Sequence, residues 1–64
     1  MITVYAERQE VGDRIVITTV SSLRAASVLI DHMEDRGTWP EGHDAIAQEG
    51  NQLFFYDGEE WEEI

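Results

Sequence analysis

The side chains in this sequence with chemistry to offer are carboxylates. Five of them, Asp57, Glu59, Glu60, Glu62 and Glu63, fall within the last thirteen residues, Gln52 to Ile64. That stretch also holds both Phe, one of the two Tyr and one of the two Trp, and no basic residue interrupts it. Three more acids, Asp31, Glu34 and Asp35, sit close together near the middle of the chain. Grouped carboxylates can serve as general acids and bases, hold a hard cation, or attract a cationic partner. General acid–base work needs perturbed pKa values in a pocket, and exposed acids in a small domain have neither. Asp57-Gly58-Glu59-Glu60 lacks the alternating oxygen ligands and closing Glu of a twelve-residue calcium loop. A hairpin turn explains it better.

Other chemistry finds little footing. His32 and His43 are the only imidazoles, and their spacing does not put two ligands on one helical face. The sequence therefore predicts an exposed helix histidine and a loop histidine, with no metal and no cofactor. There is no Cys for a thiolate site or a disulfide. Ser21, Ser22 and Ser27 belong to a helix start and its outer face, not to a strained elbow beside a base. Phosphate-cradling glycine motifs are absent, the five glycines standing singly. The expectation is a protein that is not an enzyme.

That leaves recognition by charge. Fourteen Asp and Glu against four Arg, with no Lys, give −10 in 64 residues. Residues 1–36 hold six acids and all four Arg, net −2, whereas residues 37–64 hold eight acids and no base, net −8. Affinity for DNA or RNA comes largely from cations neutralising phosphates, so direct nucleic-acid binding is excluded. Self-repulsion of this size destabilises a small fold, and a basic partner would offset it. Solubility alone is the plain alternative. The spacing sharpens the idea. DNA carries one charge per about 3.4 Å of each strand. Carboxylates on one strand face repeat every ~6.8 Å, and Asp31 and Asp35, one helical turn apart, lie about 6 Å apart. Both approximate two phosphate steps. The eight acids Asp57, Glu59, Glu60, Glu62, Glu63, Asp31, Glu34 and Asp35 are the candidate partner-binding residues, with Glu60 and Glu62 expected on one strand face.

The elements that must position them follow from period and punctuation. Ile2 to Glu7 alternates apolar and polar, the period of a half-buried strand with Ile2, Val4 and Ala6 inward. Val11-Gly12-Asp13 reads as a turn, and β-branched Arg14 to Val20 as a second strand whose Ile15 and Ile17 continue the buried face. Ser21 or Ser22 caps a helix over 22–36. Leu23, Ala26, Leu29, Ile30 and Met33 form its buried stripe, and Gly37 ends it. Asp31, Glu34 and Asp35 crowd the end of the helix, where its dipole favours cations. Trp39 should fold back over the core from a loop that Pro40 keeps from being helical. Ala45 to Gln48 and Leu53 to Tyr56 read as strands, Glu49-Gly50-Asn51 as a turn, and Asp57-Gly58 as a hairpin signal. Glu59 to Ile64 returns with Trp61 facing the core opposite a Phe. The rings go inward and the acids outward. The fold class is α+β, ββαβββ: one domain over 1–64, with one antiparallel sheet of four to five strands packed on a single helix. No signal peptide or long apolar run is seen, so a cytoplasmic protein without membrane contact is expected.

Short length, no Cys, no Lys, a charge of −10 and a one-helix, one-sheet pattern resemble the small acidic inhibitors that bacteriophages make early in infection. Uracil-DNA glycosylase inhibitors, anti-restriction proteins and some anti-CRISPR proteins are of this kind, and several mimic DNA. The resemblance is one of class across the whole chain and assigns no residue roles. It implies an inhibitor that blocks a basic, nucleic-acid-handling host protein in DNA repair, restriction or CRISPR defence, acting in a bacterial cytoplasm. In such inhibitors an apolar pocket or exposed aromatic accompanies the acids, a part that Tyr5, Tyr56 or Trp39 would take here. The alternative is an interaction module or homodimeric small subunit whose acids serve solubility, pairing through its N-terminal strand or through Glu59–Ile64.

Overall fold

The computed structural model describes residues 1–8 and 10–64. Its order is ββαβββ: β1 (Ile2–Arg8), β2 (Asp13–Val20), α1 (Leu23–Asp35), β3 (Asp44–Glu49), β4 (Gln52–Tyr56) and β5 (Trp61–Glu63). The five strands make one antiparallel sheet in the order β2-β1-β3-β4-β5. The helix packs across one face, as the α+β pattern predicts. β1 is therefore interior and the free edges are β2 and β5, which removes the N-terminal strand as a pairing edge. The reason is the crossover. α1 carries the chain over the sheet so that β3 returns on the far side of β1. No helix is long and apolar enough to cross a membrane, among the described residues.

Alternation on β1 buries Ile2, Val4 and Ala6, and the register sets Val4 beside Ala47 and Ala6 beside Ala45. These small side chains let the helix approach closely. Ala26 and Ile30 of α1 complete the buried core with Val4, Ala45 and Tyr56, and Ile17, Val20, Trp39 and Trp61 pack around it. Trp39 is the lid that the sequence predicts, its Nε1 donating to the His43 carbonyl at 3.0 Å. At the helix start the Ser22 Oγ accepts from the Ala25 N–H at 3.1 Å. At its end Gly37, at φ 72°, takes the left-handed conformation that side chains resist.

Three sequence expectations change here. Against β1 the register slips between Val4 and Tyr5, so Ile17 is an extra residue in β2, a β-bulge. Ile17 still packs on the core, but Ile15 is 46% exposed, because the single helix covers the sheet centre and not this edge. Trp61 faces Tyr56 rather than a Phe, with ring centroids 4.8 Å apart and tilted by 32°. The rings also do not all point inward. Phe54 stands on the helix side through Ala47, while Phe55 stands on the other side through Ile46.

Candidate acidic binding surface

The eight candidate acids come from three places, the second half of α1, the β4–β5 connection and β5. Tyr56 joins them. Its ring is buried, and its hydroxyl donates to Asp31 Oδ1 at 3.1 Å. Burial pushes the phenol pKa up from its ordinary 10.0, and the Asp31 carboxylate, with a smaller push from Glu34, holds it there. One residue before the hairpin turn thus reaches the acidic part of the helix. Asp31 and Glu34 stand beside the Tyr56 phenol, and Asp57 to Glu60 follow directly on its backbone. Asp35 lies one helical turn beyond Asp31 on the same side of α1.

The turn itself is built by an acid. Asp57 Oδ1 accepts from the N–H groups of both Glu59 and Glu60 at 2.8 Å. These two donors, Glu60 first, hold the carboxyl pKa below its ordinary 3.8. The Asp57 N–H donates to the Glu60 carbonyl at 3.0 Å. The result is a four-residue loop over Asp57 to Glu60 in place of the two-residue hairpin that Asp57-Gly58 suggests. Gly58 sits at φ 105° inside it, a conformation that Gly takes without a side-chain clash.

That loop leaves β5 only three residues, Trp61 to Glu63, so Glu60 and Glu62 do not share a regular strand face. Glu60 is in the turn. Glu62 stands opposite Phe55 on the side away from the helix. Glu63 stands opposite Phe54, and its Oε2 accepts from Gln52 Nε2 at 3.1 Å. The strand half of the phosphate-like repeat is therefore absent, while the helical pair Asp31 and Asp35 stays regular. Asp31 and Glu34 stand beside the Tyr56 hydroxyl, and Asp57, Glu59 and Glu60 follow Tyr56 in the chain, in the β4–β5 turn. Glu62 and Glu63 lie apart, along the edge strand.

All eight acids are exposed. Among the described residues the ion pairs are Arg14 Nε with Glu7 Oε1 at 2.8 Å and Arg8 Nη2 with Asp13 Oδ2 at 3.8 Å. Both lie in the β1–β2 hairpin, and neither touches the eight. His32 is exposed, and His43 is half-buried with Nδ1 at 2.9 Å from the Glu41 carbonyl. No group of three or more potential ligands is arranged to hold a metal, among the described residues. Ser27, placed on the outer face by the sequence, is half-buried instead. Its Oγ donates to the Leu23 carbonyl and accepts from Trp61 Nε1 at 2.7 Å.

Sequence reasoning missed the sheet face that α1 leaves uncovered. One lateral row there runs Val16, Tyr5, Ile46, Phe55, Glu62 across all five strands. Apolar Leu53 joins the same face. The run Leu53-Phe54-Phe55-Tyr56 carried the signal: four consecutive apolar residues on a strand must send two to each side. Set against family models, curated proteins and solved structures, the chain matches none of them.

Proposed function

We propose that this protein is a non-enzymatic inhibitor that occupies the basic nucleic-acid channel of a DNA- or RNA-handling protein, its carboxylates taking the place of phosphates. The segregation of charge carries this reading. Four of the chain's acids or bases neutralise one another within the β1–β2 hairpin, whereas the eight candidate acids have no cationic partner among the described residues. Exposed carboxylates without an ion-pair partner leave a net negative field, which Arg36 beside Asp35 offsets only in part. A fixed negative surface of this kind steers a basic partner and excludes nucleic acid from the same site. The Tyr56–Asp31 bond supports it by fixing the helix acids relative to the hairpin acids.

The test is competition. The immobilised protein is exposed to bacterial lysate, and retained proteins are eluted with duplex DNA or with rising salt. The expected result is retention of a basic protein that DNA displaces and salt weakens steeply, and that is lost with Glu59→Lys and Glu60→Lys combined. Retention that ignores both DNA and the double reversal would overturn the reading.

A second reading, an assembly module, is favoured by β2. It is an eight-residue edge strand with exposed Ile15 and Val16, the kind of edge that pairs with another chain. Association through it would not weaken as salt rises, because salt screens the repulsion between like-charged chains.

A further inference from the structure

The sheet face opposite α1 departs from what a one-sided antiparallel sheet should present, which is a polar outer surface. Its central row, Val16-Tyr5-Ile46-Phe55-Glu62, is apolar for four strands and ends in a carboxylate. At about 4.8 Å per strand the row spans roughly 19 Å. Ile46 is only 2% exposed although no layer covers it, because Tyr5 and Phe55 flank it in the row. Toward β5 the face dips into a groove of about 420 Å³ lined by Glu7, Ile46, Phe55, Glu62, Glu63 and Ile64. Its floor is apolar and its rim is anionic. Ile64 is 74% exposed there.

We infer that this groove docks a segment of a basic protein in which aliphatic side chains alternate with Arg or Lys. The aliphatic groups lie on Phe55 and Ile64, and the cations reach Glu62. Charge complementarity selects this occupant. A second copy would bring together two chains carrying −10 each, and like charges oppose association. At the β1–β2 end Arg14 is already committed, bonded to Glu7 and stacked 5.8 Å from the Tyr5 ring. The free charge of the face is therefore negative. The inference rests on the reading of the chain as a binder of a basic protein and adds where apolar contact is made, on a surface separate from the acids around Tyr56.

Two short synthetic peptides test it, one alternating Arg and Leu, the other Arg and Ser, titrated into isotope-labelled protein and followed by NMR. The Arg–Leu peptide should bind about tenfold more tightly, the gain from burying roughly two methylene equivalents. Its shifts should fall on Tyr5, Ile46, Phe55 and Glu62. Ile64→Ser, at a side chain too exposed to hold the fold, should remove most of that difference, and Glu62→Gln should weaken both peptides. Equal affinities, or shifts confined to α1 and the Asp57–Glu60 turn, would overturn this inference and leave the charge-mimicry reading standing. Dimerisation abolished by Ile64→Ser would overturn it in favour of a second copy. Binding of the Arg–Leu peptide without DNA-competed capture of any protein would sink mimicry alone.

Discussion

Replacing Trp61 tests whether β5 is held to the helix by one side chain. The indole packs on Tyr56 at 4.8 Å, and its N–H donates to the Leu23 carbonyl at 3.1 Å and the Ser27 Oγ at 2.7 Å. A fully buried Trp→Ala change costs 3–5 kcal/mol. Trp61 is half-buried, so its packing contributes about 2 kcal/mol and its hydrogen bonding about 1 kcal/mol. Trp61→Ala should therefore cost about 3 kcal/mol, against a total stability of roughly 3–10 kcal/mol for a chain of this length. Trp61→Phe keeps most of the ring contact and gives up the donor, so it should cost about 1 kcal/mol. Urea unfolding followed by circular dichroism, with Trp39 as the remaining fluorophore, measures both. The reasoning fails if Trp61→Ala costs less than about 1 kcal/mol, the value of the hydrogen bond alone, or if the Phe variant loses as much as the Ala variant.

The remaining expectations concern Tyr56 and the helix cap. The Tyr56 phenol ionises near 10.0 when unfolded and higher when folded. The stability it confers is complete below the unfolded value and is lost as pH rises through the folded one. Tyr56→Phe should flatten that alkaline decline while costing about 1 kcal/mol at neutral pH through the lost bond to Asp31. Urea midpoints measured on both sides of pH 10 check this. Ser22→Ala removes the acceptor that satisfies the Ala25 N–H and should cost about 1 kcal/mol, seen as a lower thermal midpoint with unchanged sheet signal.

The helix was legible because its signals are local: the Ser22 cap, the 3.6-residue stripe and Gly37. The strand order was not. Nothing near Ile2–Arg8 says that β3 will arrive on its free side, since that pairing depends on where α1 sets the chain down. The bulge at Ile17 is hidden for a related reason, being a mismatch between two strands and not a property of either. The acids were found as residues but not as an array. Asp57 satisfies two backbone donors with one carboxylate oxygen, and that local bond defeats the tighter turn which the Asp-Gly pair favours. The longer loop shortens β5, and Glu60 leaves the strand on which a two-residue repeat had placed it.

The two edges of the sheet are guarded unequally. β5 is short and carries Glu62 and Glu63, so a stray strand meets both a brief ladder and like charge. β2 has eight residues, no proline and no net charge of its own, with only the kink at Ile17 to spoil its line. The repulsion of whole molecules at a distance opposes zipping together along β2. That protection is bound to solvent conditions. It thins as salt rises or as pH approaches the isoelectric point near 4.2, where the same carboxylates that would court a cationic partner stop holding identical chains apart.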